Sequence, residues 1–211
     1  MAKNDPVQQS LDLYASLMDE VKVRIGAINQ LLAHPLLFPF PIRREFGFLQ
    51  LRMICELVAL GCLVAHEDIK ATQSSDLRKK YAADEIINRL SDLHSDFFPT
   101  PHVRTENGRL NNITPKTEPY LTKDEMIKLV RECGDILHKG SLKKLIKPKY
   151  PIKYEIDDLV LYTNKLIRLL ESHHINRLDG RIILCILKTS TNGDVSVAIA
   201  EPLSTTLQNE S

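Results

Sequence analysis

Residues 46–65 decide the fold: Phe46-Gly-Phe-Leu-Gln50-Leu-Arg-Met-Ile-Cys55-Glu-Leu-Val-Ala-Leu60-Gly-Cys-Leu-Val-Ala65. At helical spacing they carry two apolar stripes. One is Phe48, Leu51, Cys55, Val58, Cys62 and Ala65; the other is Phe46, Leu49, Met53, Leu60 and Leu63. A helix apolar nearly all round belongs in the middle of a core, so this stretch predicts a central, buried helix from about residue 42 to residue 66. Its strongly polar residues are Gln50, Arg52 and Glu56. Arg52 and Glu56 stand four apart and share a face, where they can pair. A charge buried in such a helix needs a partner, so the pair reads first as a structural tie and second as part of a site.

The flanking sequence adds further helices. Leu11, Tyr14, Met18, Val21, Ile25, Ile28 and Leu32 recur at steps of three and four. Asp5-Pro6 starts that helix, and the three prolines between His34 and Pro41 end it. A third helix is predicted from about Ser75 to Phe97, on Leu77, Tyr81, Ile87, Leu90 and Leu93. Pro99 to Leu121, with four prolines, reads as a long loop. Thr122-Lys-Asp-Glu125 is a capping box opening a fourth helix to about His138, with Gly140 beyond its end. A fifth helix is predicted from about Glu155 to His173. Ile182 to Leu187 and the alternating Val195, Val197 and Ile199 flank Asn192-Gly193, a hairpin signal. The expected fold is mainly α: an up-and-down bundle of about five helices over residues 1–175, a C-terminal β-hairpin over 176–203 and a frayed tail over 204–211.

Composition limits the function classes. A net charge of +1 gives no whole-chain argument for nucleic acid or membrane, so either must rest on local clustering. No run approaches the roughly 18 apolar residues of a membrane span. Met1 to Ser10 lacks the apolar core of a signal peptide, so a cytoplasmic protein without membrane association is expected. Cys55, Cys62, Cys133 and Cys185 lie in apolar segments without paired metal-finger spacing and read as reduced, buried thiols. The histidines are scattered, with no pair four apart on a helix, so neither a metal nor another cofactor is expected.

Chemistry concentrates in Arg131-Glu-Cys-Gly-Asp-Ile-Leu-His138. Seven residues make almost two helical turns, which puts Arg131 and His138 on one side, about 10 Å apart along the axis. Asp124, Lys128, Arg131, Asp135 and His138 form a polar stripe opposite an apolar one of Met126, Leu129, Cys133 and Ile136. Any amphipathic helix has a solvated face, and on spacing alone that is the plainer reading. Two features favour a site. His138 stands at the helix C-terminus, where the dipole favours positive charge. Residues 139–153 then carry six lysines and no acid: Lys139, Lys143, Lys144, Lys147, Lys149 and Lys153. Such a strip suits a nucleic-acid backbone, although a charge run is more often a solvated face.

An Arg, a polar residue and a His with four to six residues between the Arg and the His is the pattern of HEPN domains. Arg131, Glu132 and His138 fit it with six residues between. The apolar helix carrying Arg52-Met-Ile-Cys-Glu56 before the motif and an amphipathic helix after it also match. Over residues 10–173 the chain resembles an uncharacterised bacterial HEPN-like protein. It departs from the family in placing Glu132 after the Arg, where Asn, Asp or His is common and where an acid would repel phosphate. The resemblance implies a homodimer with two motifs facing across a cleft and a metal-independent endoribonuclease or RNA-binding activity. It implies a role in bacterial defence or a toxin–antitoxin pair, with an antitoxin or other protein partner. By that analogy His138 is the acid/base, Arg131 the phosphate anchor, Glu132 or Asp135 the group that orients His138, and Lys139, Lys143, Lys144, Lys147 and Lys149 the backbone contacts. The alternative is a non-catalytic interaction scaffold acting through its dimer surface and the hairpin edge from Asp194 to Glu201.

Overall fold

The computed structural model describes residues 5–80, 82–103, 114–138, 156–189 and 191–201. Helix α1 (Pro6–Ala33) starts at the predicted cap, where Asp5 Oδ1 accepts the Val7 N–H at 3.1 Å. Its buried face runs Leu11, Tyr14, Met18, Val21, Ile25, Ile28 and Leu31. Helix α2 (Phe40–Ala65) is the core helix the sequence predicts and packs against four other helices: α1, α4 (Ala83–Leu93), α5 (Lys123–Leu137) and α6 (Ile156–Leu170). Contrary to the expectation that no stretch approaches a membrane span, this helix is long and apolar enough by length and composition to cross one, although 67% of that apolar window is buried against the rest of the protein.

The two stripes of α2 fare differently. Phe48, Leu51, Cys55, Val58, Cys62 and Ala65 are all buried. On the second stripe Leu63 is buried, but Phe46 and Leu49 are exposed. The exposure continues into the α1–α2 connection, through Leu36, Leu37, Phe38, Phe40 and Ile42. The neighbouring helices therefore enclose the C-terminal half of α2 more fully than its first turns.

Three predicted boundaries need correction. The third helix is two, α3 (Ser75–Arg78) and α4. Ser74 Oγ caps α3 by accepting the Leu77 N–H, and Asp84 and Glu85 sit in the first turn of α4, where the helix dipole favours acids. Next, the proline-rich stretch 99–121 holds two strands, β1 (Thr100–Val103) and β2 (Thr114–Pro115). Proline donates no ladder hydrogen bond, which hides such strands from a pattern reading, and β2 lies at a sheet edge, where proline is tolerated. Finally, α6 stops at Leu170 and the chain turns into β3 (Ser172–Asn176), pairing on both sides.

The predicted C-terminal strands are β4 (Ile182–Ile186) and β5 (Ser196–Ala200), paired antiparallel. They are not an isolated hairpin. They finish a five-stranded antiparallel sheet of order β2-β1-β3-β4-β5, in which His173 pairs with Cys185 and Cys185 with Val197. The protein is thus mostly helical with a small antiparallel sheet. The expected boundary at residue 175 falls inside β3.

The turns explain the register. Gly193 of Asn192-Gly193 has φ +77°, and Gly180 of Asp179-Gly180, between β3 and β4, has φ +85°. At the second turn Arg177 is buried, bonding the Ala65 carbonyl at 3.1 Å and pairing with Asp179 at 3.2 Å and Asp68 at 3.6 Å. This guanidinium ties the sheet to the end of α2. Burial alone would raise the Asp179 carboxyl, but hydrogen bonds from Arg181 and Arg177 outweigh it and hold it at about 2. The four cysteines are buried and free, and burial pushes the Cys133 and Cys185 thiols up to about 12.

Candidate functional site

The capping box that opens α5 forms as predicted: Glu125 donates its N–H to Thr122 Oγ1 at 3.3 Å, and its carboxylate accepts the Thr122 N–H at 3.1 Å. Lys165 of α6 donates to the same carboxylate, which fixes the start of α5 against its neighbour. Met126, Leu129, Val130 and Cys133 face the core. The opposite stripe falls where the spacing puts it, with Asp124, Lys128, Arg131, Asp135 and His138 all exposed.

Arg131 is 67% exposed and stands 3.9 Å from Asp84 of α4, a loose surface pair that leaves most of the guanidinium in solvent. His138 is the C-cap of α5, and its backbone N–H donates to the Gly134 carbonyl at 3.0 Å. Asp135 lies on the same exposed stripe.

Glu132 lies off that stripe. Only 12% of its side chain is exposed; one carboxylate oxygen accepts the Tyr162 hydroxyl of α6 at 3.1 Å, and the other lies 3.8 Å from Lys128. The acid that follows Arg131 is thus turned into the α5–α6 contact. Lys139, Lys143, Lys144, Lys147 and Lys149 lie outside the described residues.

Arg52 and Glu56 pair on α2 at 3.0 Å, both partly buried. A Cβ placed on Gly134 would meet Arg52 Nη1 at 3.6 Å, so the guanidinium lies against α5 between the positions of Arg131 and His138. The pair is a tie between the core helix and the motif helix. It also places a cation behind the exposed stripe.

A second grouping escaped the sequence reading. His102 of β1 and His174 of β3 are neighbours in the sheet, with rings 5.7 Å apart, and His173 points the opposite way to accept the Tyr14 hydroxyl at 2.6 Å. Strand alternation separates His173 from His174, but that signal depends on knowing that 172–176 is a strand. Burial lowers His102 and His173 to about 4, with His174 and Lys116 adding to the effect at His102. No group of three or more His, Cys, Asp or Glu suited to a metal ion occurs among the described residues.

Comparison with known proteins finds no matching family model, no matching curated protein and no matching solved structure. The functional reading therefore rests on the residues and their geometry.

Proposed function

We propose that the chain is a HEPN-like module that binds RNA and cleaves it without a metal, acting as a homodimer in the cytoplasm. The observation that carries the reading is the division of labour along α5: Arg131, Asp135 and His138 face solvent on one stripe while Glu132 is drawn into a bond with Tyr162. An acid beside Arg131 would repel a phosphate. Its sequestration leaves Asp84, in a loose pair at 3.9 Å, as the acid nearest the exposed guanidinium.

The chemistry follows from these groups. A ribose 2′-oxygen attacks the adjacent phosphorus as the P–O5′ bond breaks, giving a 2′,3′-cyclic phosphate and a 5′-hydroxyl. His138 moves the proton, and Arg131 holds the phosphate and meets the charge that grows on it. Asp135, one turn before His138, is the candidate to orient the imidazole. The lysines of 139–153 follow directly in sequence and supply non-specific backbone contacts. Toxin–antitoxin or defence function would be the biological setting of such an activity.

A second reading has its own observation. Leu36 is 97% exposed and heads a run of exposed apolar side chains with Leu37, Phe38, Phe40 and Ile42, the kind of surface that marks interaction sites. That run favours an interaction scaffold. Labelled single-stranded RNA, incubated in EDTA with wild type and with His138→Ala, separates the two. Cleavage lost in the variant with binding retained supports the nuclease, and neither binding nor cleavage by folded wild type supports the scaffold.

A further inference from the structure

From Leu32 to Phe46 no residue is buried: the buried face of α1 ends at Leu31, and the first buried residue of α2 is Gly47. Helices α1 and α2 are 28 and 26 residues long, against 15 for each of α5 and α6. The hairpin they form is thus longer than those helices by roughly 15 Å, and this bare end is where it outruns them.

The chemistry of that end is one-sided. Pro35-Leu-Leu-Phe-Pro-Phe-Pro-Ile42 carries no side-chain donor or acceptor. Leu36 is 97% exposed, Leu37 65% and Phe38 45%. Ile42, Phe46 and Leu49, at steps of four and three, carry the exposed apolar surface down one side of α2. The backbone offers few donors as well. Pro35, Pro39 and Pro41 have no N–H, and the amides of His34, Leu37 and Ile42 donate to the carbonyls of Gln30, His34 and Pro39 at 3.1, 3.1 and 3.0 Å. A protein interface exchanges about one hydrogen bond per 100–200 Å², and this end has little to exchange. Hydrocarbon asks for none.

Positive charge sits directly behind the apolar tip. Arg43 and Arg44 follow Ile42, and no acid occurs from Leu32 to Arg44; counting Glu45, the stretch stays net positive. Arg43 donates to the Pro35 carbonyl, which braces the turn, while Arg44 and Glu45 are engaged within the chain. A bond to a neutral carbonyl leaves the Arg43 charge in place. Attraction to an anionic surface acts on the local net charge and needs no free donor.

We propose that this end of the α1–α2 hairpin inserts into a membrane surface bearing anionic lipid. Leu36, Leu37, Phe38 and Phe40 enter the acyl boundary, roughly 5–10 Å deep, and Arg43 stays at the level of the headgroups. The rest of α2 keeps its buried packing, so no span is involved. This departs from the sequence expectation of no membrane association, which rested on the absence of a span and a leader. The proposal shares its exposed run with the scaffold reading, does not require the chain to be non-catalytic, and stands whether or not α5 cleaves RNA.

The test uses the full chain with vesicles of phosphatidylcholine, alone or mixed equally with phosphatidylglycerol. The expected result is co-sedimentation with the mixed vesicles, at least about tenfold tighter than with phosphatidylcholine alone. The chain has no tryptophan, so Phe38→Trp introduces a single reporter, whose emission should shift to the blue and be quenched by lipids brominated on their acyl chains. Leu36→Gln with Leu37→Gln should weaken binding by about tenfold or more, and His138→Ala should bind as wild type does. Leu36 and Leu37 are exposed and lie between the helices, so that variant should keep its helical circular dichroism spectrum. No binding of wild type to the mixed vesicles overturns the proposal. So does equal binding to both vesicle types, undiminished binding by the double variant, or an unquenched reporter. A lipid-free dimer that the double variant returns to monomer, with no vesicle binding by wild type, would give this surface to a second copy instead.

Discussion

At the scale of single residues, neighbours on α5 have opposite duties. Arg131 and His138 are exposed and lightly held, so Arg131→Ala and His138→Ala should each change stability by no more than about 0.5 kcal/mol. Glu132→Ala removes the acceptor of the Tyr162 hydroxyl and should cost about 1–2 kcal/mol. Urea melts of the three variants check this, and equal losses in all three would contradict the division. Histidine burial sets a second expectation. His173 donates from Nδ1 to the Leu170 carbonyl and accepts from Tyr14 at Nε2, an arrangement that requires a neutral ring. Burial lowers the folded-state value to about 4 from the usual 6.5, so the unfolded chain takes up its proton first as the pH falls. The stabilisation is present above about pH 6.5 and is lost on the way down to about pH 4, up to about 3 kcal/mol for this one fully buried ring. His102 acts in the same direction. The melting temperature should decline between pH 6.5 and 4.5, and a flat profile across that window would contradict the assignment.

Among the elements, the long helices were legible, the third was misread as continuous, and most of the sheet was not legible. The alternating threes and fours of Leu11 to Leu32 and the Thr122–Glu125 box are local signals, and both helices form where they point. The strand Ser172-His-His-Ile-Asn176 has no such signature of its own. It is a strand because β1 and β4 pair with it from residues distant in sequence. The available clue was Asp179-Gly180, a turn signal in front of Ile182. Arg177, just before that turn, holds the sheet to α2, and Arg177→Ala would leave Asp68 and Asp179 without their buried cation. A loss of about 3 kcal/mol is expected in denaturant unfolding, and a loss under about 0.5 kcal/mol would show the tie to be dispensable. The candidate site was legible in part for the same reason. Arg131, Asp135 and His138 share a face by helical geometry alone, whereas the inward turn of Glu132 depends on Tyr162, thirty residues away.

For the whole molecule, the bundle and the sheet share one core: Ile183 and Cys185 are buried in the same cluster as Tyr14, Met18 and Cys62. A chain ending at residue 175 should therefore lose its cooperative thermal transition; a truncated protein that melts like the full chain would show the last strands to be separable. The most direct test of the central claim is cleavage of labelled single-stranded RNA in EDTA by wild type and His138→Ala, read together with binding. Metal-free cleavage by wild type, at least about a hundredfold slower in a folded variant that still binds RNA, is the predicted result. Equal cleavage by both proteins, or none by a well-folded wild type, would contradict the account.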